Sequence, residues 1–101
     1  MKSITNLPIV PRIEYVISAH LRPTFLAITN PEDDENGDIQ IVVSAHQFSY
    51  MTVPQRVTHV FSILNKHLPE VLQNRLIIVT PYDTIEMEEI INDIFNKEMF
   101  R

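Results

Sequence analysis

The chain has 101 residues, of which 45% are hydrophobic, and its formal net charge is −5 because acidic residues outnumber basic ones 13 to 8. This length and apolar content indicate a single domain, residues 1–101, with a core of its own. The absence of cysteine excludes disulfides, thiolate nucleophiles and zinc-finger spacings, and the acidic balance argues against broad affinity for nucleic-acid phosphates or anionic membranes.

The first predicted element is a helix. Apolar residues recur at helical spacing, so we predict a helix at residues 11–20. Pro11 opens it, because a first-turn residue needs no N–H donor, and Pro23 stops it by disfavouring helical geometry in the preceding residue. We expect the domain core to span about residues 10–95 and residues 1–9 to be loosely ordered.

A β-hairpin is predicted next. Short apolar runs at residues 25–28 and 39–43 have strand character and flank the most polar stretch of the chain. That stretch contains Asn36 and Gly37. An Asn-Gly pair between two apolar runs indicates a hairpin because both residues tolerate positive φ.

The second half of the chain begins with a capped helix. Thr52 and Gln55 have the spacing of a capping box, in which each side chain bonds to the backbone N–H of the other residue. The apolar pattern continues the helix to about residue 65, and a short helix is predicted at residues 69–73.

A third strand and a last helix complete the predicted order α-β-β-α-α-β-α. Four continuous apolar residues at 76–79 predict burial on both faces, hence a central strand or one covered by helices. Asp83 and Glu86 form a second capping box. The helix that follows carries one apolar face, which comprises Met87, Ile90, Ile91, Ile94 and Phe95.

The residues give no sign of a catalytic or metal site. The four histidines, His20, His46, His59 and His67, lack a recognised metal spacing, so we interpret them as scattered surface or helix-end residues. The acidic residues 32–38 lack the closing glutamate of a calcium loop and indicate a solvated hairpin tip. One glycine cannot build a phosphate-binding loop. We therefore expect a protein that is not an enzyme and has no cofactor.

The few basic residues leave two interpretations open. Arg56, Lys66, His67 and Arg75 could share a face that contacts phosphate, or they could be ordinary solvated residues, which the net charge favours. No stretch approaches the ~20 apolar residues that cross a bilayer, and no secretory signal is visible. We expect a cytoplasmic protein without membrane contact.

The segment 39–64 resembles the core of the BolA family. That core has an apolar strand ending in Val-Ser, then a phenylalanine, a Ser or Thr, and a helix opening with Gln-Arg; the matching residues here are Phe48, Thr52, Gln55, Arg56, Val60 and Leu64. The resemblance implies an α+β fold with a three-stranded mixed sheet and helices packed mainly on one face, similar to a class II KH domain. The Gly-x-x-Gly loop that grips nucleic acid in KH domains is absent.

Several residues depart from the family pattern. Tyr50 stands where the family has glycine, Val57 and about Asn74 stand where it has histidine, and the first hairpin loop has no His or Cys. In the family, that loop and the position of Asn74 supply ligands for a [2Fe-2S] cluster shared with a monothiol glutaredoxin. Iron in such a cluster needs thiolate or imidazole. We therefore predict no bound metal, with His59 and Asn74 nearest the family's ligand positions.

The resemblance implies a regulatory or adaptor protein that acts by binding a partner, a monothiol glutaredoxin, in iron–sulfur and stress physiology. The residues we expect to contact a partner or nucleic acid are Phe48, Tyr50, Thr52, Gln55, Arg56 and Arg75. The alternative is a KH-like nucleic-acid-binding transcriptional regulator, with Arg56 as its main contact. A third possibility is a divergent domain that keeps only the fold and binds an unrelated partner.

Overall fold

The structure is a computed structural model that describes residues 7–99. Its helices and strands follow the predicted order and confirm the α+β class. They are α1 (Ile9–Leu21), β1 (Phe25–Thr29), β2 (Ile39–Ser44), a 3₁₀ helix (His46–Tyr50), α2 (Val53–His67), a second 3₁₀ helix (Pro69–Leu72), β3 (Ile77–Tyr82) and α3 (Thr84–Met99). Among these described residues no helix is long and apolar enough to cross a membrane.

The three strands form one mixed sheet with β2 in the centre. β1 pairs with β2 in antiparallel orientation and β3 pairs with β2 in parallel orientation. The prediction that the third strand is buried on both faces is wrong: β3 is an edge strand, and Ile78 is 46% exposed. Its neighbours Ile77 and Val79 do pack against the core, so the continuous apolar run covers one buried face and one open face.

The core lies between the sheet and the two helices α1 and α2. Alternate residues of β2, namely Ile39, Ile41 and Val43, are fully buried, as the period of two along a strand requires. The helices contribute residues at helical spacing, including Ile13, Ile17, Leu21, Val60 and Leu64. The packed core of the sheet, α1 and α2 therefore fixes the positions of the surface turns and of the outer side of α2.

The beginning of α1 differs from the prediction. The helix starts at Ile9, two residues before Pro11, and Ile9 is only 2% exposed. The expected loose order of residues 1–9 therefore fails at Ile9, while residues 1–6 lie outside the described residues. The helix ends at Leu21, two residues before Pro23, as predicted.

The hairpin is confirmed, but its loop uses a different geometry from the expected one. The left-handed residue is Asp33, with φ of 48°, and Gly37 does not have positive φ. Gly37 is favoured by close approach instead, because a Cβ there would lie 3.0 Å from Asn30 Oδ1 and 3.2 Å from the carbonyl oxygen of Asp34, so these neighbours would have to shift slightly. The loop is also tied to α1, since Arg12 Nη2 donates to Glu35 Oε1 over 2.6 Å.

Both predicted capping boxes are confirmed. The amide of Gln55 donates to Thr52 Oγ1 (3.3 Å), and the amide of Thr52 donates to Gln55 Oε1 (2.9 Å). At the start of α3, the amide of Glu86 donates to Asp83 Oδ1 (2.7 Å) and the amide of Asp83 donates to Glu86 Oε1 (2.8 Å). Each box satisfies two backbone donors that a helix start otherwise leaves unpaired.

Candidate functional site

Arg56 is the centre of a buried polar cluster at the start of α2. Its Nε donates to the carbonyl oxygens of Phe48 (2.9 Å) and Met51 (3.1 Å), and its Nη1 donates to Glu86 Oε1 (2.6 Å). Nη2 lies 3.8 Å from Asp83 Oδ2. One guanidinium therefore joins the 3₁₀ turn before α2 to the capping box of α3.

The burial of this cluster corrects two expected contacts. Phe48 is fully buried and Arg56 is only 6% exposed, so the structure does not support direct contact of either side chain with a partner. Arg56 instead positions the turn that precedes α2. Arg56 therefore does not belong to an exposed basic face of the kind that the sequence suggested.

A groove lies along the outer side of this turn and the first half of α2. It has a volume of about 610 Å³ and is open to solvent; among the residues that line it are Tyr50, Met51, Gln55, Thr58, His59 and Ser62. Tyr50 is 89% exposed. An aromatic ring that is so exposed on a turn held by buried bonds is a surface that a partner can cover.

The wall of the groove combines apolar and polar side chains. Met51 and Tyr50 offer apolar surface, while Thr58 and His59 offer polar groups at the groove wall. Ser62 Oγ already donates to the carbonyl oxygen of His59 (2.7 Å). Among residues 7–99, no Lys, Arg, Asp or Glu lines the groove, so it suits a peptide surface better than a phosphate.

The expected contact residues thus separate into distinct places. Tyr50 and Gln55 line the groove, and Thr52 caps α2 beside it. Arg75 is elsewhere: its Nη1 lies 3.4 Å from the carbonyl oxygen of Gly37 in the hairpin loop. His59, which the sequence did not assign to the contact set, lies in the groove. It is four residues after Gln55 and three before Ser62, and this spacing, which puts the three residues on one helical face, could have indicated its place.

The two places that correspond to the family's cluster ligands do meet in space. The amide of Leu76 donates to Asp38 Oδ1 (2.9 Å), which holds the segment after Asn74 against the end of the hairpin loop. Asn74 itself has φ of 61°. The groups present are amide, carboxylate and the guanidinium of Arg75, and they do not fit a [2Fe-2S] cluster, which requires thiolate or imidazole. Within residues 7–99, no group of three or more His, Cys, Asp or Glu side chains could hold a metal ion.

Two of the histidines, which the sequence indicated as surface or helix-end residues, do lie at helix ends and also form a pair. The rings of His20 and His67 stack with centroids 3.9 Å apart and planes 14° from parallel. Desolvation of the ring, followed by the charges of His20 and Lys66, lowers the pKa of His67 from its ordinary value of 6.5. Each histidine lies in the last turn of its helix, but spacing along the chain does not indicate that these two helix ends meet.

Comparison with known proteins identifies the fold. No family model and no curated protein matches the chain. Among solved structures, BolA1 from Arabidopsis thaliana is similar with a TM-score of 0.65 at 16% identity, covering 85% of this chain and 98% of its own. A bol-like protein from Babesia bovis has a TM-score of 0.62 at 19% identity, with 76% and 86% covered. The BolA domain of SufE1 from Arabidopsis thaliana has a TM-score of 0.56 at 16% identity, with 70% and 88% covered. The chain therefore has a BolA-like fold, as its sequence pattern predicted.

Proposed function

We propose that this chain with a BolA-like fold is a non-enzymatic adaptor that binds a protein partner in the groove beside α2. The observation that carries the proposal is Tyr50, 89% exposed over a groove whose wall, within the described part of the chain, has no Lys, Arg, Asp or Glu. Exposed aromatic rings at the centre of a neutral surface are frequent anchors of protein interfaces. The buried bonds of Arg56 hold the turn that presents this ring.

The partner class we propose is a monothiol glutaredoxin, in iron–sulfur and stress physiology. The BolA-like fold supports it, and one of the similar structures is a BolA domain of SufE1, so that this fold also occurs as a domain of another protein. The residues near Asn74 and Asp38 do not fit a cluster. We therefore propose a complex that forms by protein contact, without cluster ligands from this chain.

Nucleic-acid binding is the less favoured alternative. Its main expected contact, Arg56, is 6% exposed and engaged with Glu86. The only glycine, Gly37, lies in the hairpin loop, so no Gly-x-x-Gly loop can grip a backbone. The net charge of −5 also opposes phosphate binding. A gel-shift series over increasing salt tests this alternative, because specific binding that survives moderate salt would favour it.

Isothermal titration of the chain with a monothiol glutaredoxin tests the proposal. We expect a complex that Tyr50→Ala weakens by about tenfold or more, the loss typical of an interface anchor. Tyr15→Ala is the matched control, because Tyr15 is also exposed (59%) but lies on α1, outside the groove. The absence of a complex would exclude this partner, and equal weakening by both variants would exclude the groove.

Absorption spectroscopy of the same complex tests the statement about the cluster. A glutaredoxin that carries its cluster should keep an unchanged visible spectrum when this chain binds, because Asn74 and Asp38 offer no thiolate or imidazole. Altered cluster bands that vanish in His59→Ala would show instead that this histidine serves as a ligand.

A further inference from the structure

The outer edge of β3 carries backbone groups that the sheet does not pair. β3 lies at the edge of the sheet and has β2 as its neighbour on one side only. The amide of Ile39 donates to the carbonyl oxygen of Leu76 (3.0 Å). At the other end of the strand, the amide of Ala45 donates to the carbonyl oxygen of Tyr82 (3.2 Å). Because the backbone groups of successive strand residues point in alternate directions, the odd-numbered residues within 77–81 direct theirs away from β2.

Two of these outward residues have no partner in the sheet. Within residues 7–99, the N–H and C=O groups of Ile77 and Val79 form no hydrogen bond with any other part of the backbone. Pro81 has no N–H, and its carbonyl oxygen lies 3.5 Å from Arg56 Nη1. Backbone donors and acceptors need a partner, which is either water or another strand. Ile77 and Val79 therefore each offer one donor and one acceptor at an edge that ends at Pro81.

The side chains beside this edge are apolar and exposed. Ile78 is 46% exposed on the open face of the sheet, and Leu76, just before the strand, is 59% exposed. No charged residue occurs in the segment 76–82. Proteins protect edge strands from pairing with other chains by charged side chains, proline or a covering element. In this strand only Pro81 has that effect, so residues 76–80 remain suited to pairing with a further strand.

We propose that β3 pairs with β3 of a second copy of this chain, in antiparallel orientation about a two-fold axis at Ile78. This register places Ile77 opposite Val79 of the second copy, and the two residues exchange both backbone hydrogen bonds. The axis repeats the same pair, so every outward donor of the edge meets an acceptor. Ile78 then lies opposite Ile78 of the second copy, where apolar cross-strand pairs stabilise a sheet.

A second copy is favoured because the edge is complementary to itself. The pairing needs an extended, uncharged segment whose outward groups have the same spacing, and β3 has all three properties. The net charge of −5 on each chain opposes association. The paired segments are uncharged, however, and at physiological salt charges more than about 8 Å apart are largely screened. Since only residues 76–80 pair, we expect a weak and reversible dimer.

Sedimentation equilibrium of the chain alone tests the proposal, at concentrations from about 10 μM to about 1 mM. We expect a monomer at the lowest concentration and a dimer at the highest. Ile78→Lys should weaken the dimer by about tenfold or more, because it places two like charges opposite each other across the axis. Ile85→Lys is the matched control: Ile85 is 64% exposed but lies on α3, so the dissociation constant should not change. Circular dichroism checks that both variants are folded. A monomer at every concentration would overturn the proposal and leave the edge to a strand of another protein, and equal weakening by both variants would also overturn it.

Amide hydrogen exchange, measured by NMR on the unmodified chain, separates edge pairing from other kinds of dimer. The exchange of the Ile77 and Val79 amides should slow in proportion to the fraction of dimer. The amides of Ile78 and Thr80, which point towards β2, should change much less. A dimer in which Ile77 and Val79 exchange as fast as in the monomer would overturn the proposal in favour of contact through the open face. Slow exchange of both amides in the monomer would also overturn it, because the edge would then be covered within one chain. No glutaredoxin is present in these measurements, so their outcome is independent of the proposed groove.

Discussion

Replacement of Arg56 by alanine removes the guanidinium that joins the turn before α2 to the start of α3. The change removes a donor from the carbonyl oxygens of Phe48 and Met51, of which that of Phe48 still accepts from the amide of Met51, and it takes away the charged partner of Glu86. The side chain of Arg56 is 8% exposed and that of Glu86 is 44% exposed. Arg56 is thus desolvated in the folded state, whereas Glu86 keeps access to water.

The expected loss of stability follows from these contacts. Removal of one partner of a buried ion pair costs about 3–5 kcal/mol, mostly because the remaining groups stay unpaired. Since water can reach Glu86, we expect the lower end, about 3 kcal/mol. That loss is a large part of the ~5–15 kcal/mol by which domains are stable. At about 4–8 °C per kcal/mol for a domain of this size, the Tm should fall by more than about 10 °C.

Urea unfolding followed by circular dichroism measures this loss. With an m-value of about 2 kcal/mol/M, a loss of 3 kcal/mol lowers the unfolding midpoint by about 1.5 M. Arg75→Ala is the matched control, because Arg75 Nη1 has one long hydrogen bond of 3.4 Å and its Nε has no partner among the described residues. We expect this control to lose less than about 1 kcal/mol.

Arg56→Lys refines the measurement because it keeps the positive charge but cannot reproduce the planar arrangement of donors. Its stability should lie between that of the wild type and that of Arg56→Ala. If Arg56→Ala loses no more stability than the Arg75→Ala control, the bonds of Arg56 do not hold the turn before α2 in place. In that case Arg56 would be free to contact a partner, as the sequence had indicated.

Three further predictions concern caps, the hairpin loop and pH. Thr52→Ala should lower the free energy of unfolding by about 1 kcal/mol, measured with urea, and Thr52→Ser should restore most of it, because the hydroxyl caps α2. Gly37→Ala should destabilise by up to about 1 kcal/mol, since its Cβ would press on the carbonyl oxygen of Asp34, and an increase in stability would contradict the loop geometry. Because the pKa of His67 is lower in the folded chain than its ordinary 6.5, the unfolded chain binds more protons, and stability is lost as pH falls below about 6.5. Thermal unfolding of His67→Gln should show a smaller loss of Tm between pH 7.5 and lower pH than the wild type shows.

Local features were predictable because the chemistry that determines them lies within one turn of the chain. The capping boxes of Thr52 and Asp83 each join residues three positions apart, so their spacing is visible in the sequence. Proline likewise limits a helix by its own geometry, as Pro23 does after α1. The order of elements and the pattern from Phe48 to Leu64 were sufficient to predict the BolA-like fold.

The role of the site residues depended on contacts between distant parts of the chain. Arg56 was predicted to be a surface contact because its charged partner is distant in sequence; Glu86 is 30 residues away. The edge position of β3 could not be predicted, because an apolar run does not indicate how many strands pair with it in the sheet. The exposure of Ile91, Ile94 and Phe95 on α3 could not be predicted either, since a helical pattern specifies an apolar face but not whether another element covers it.

The capping boxes in the sequence predict where α2 and α3 begin, and a chain without cysteine has no thiolate chemistry. Only the tertiary structure decided which of the suggested contacts are exposed. Tyr50 lies open over the groove and Arg56 is buried beneath the turn. The physical reason is that burial and charge pairing belong to the packed arrangement of all elements, whereas periodicity and capping belong to the local chain.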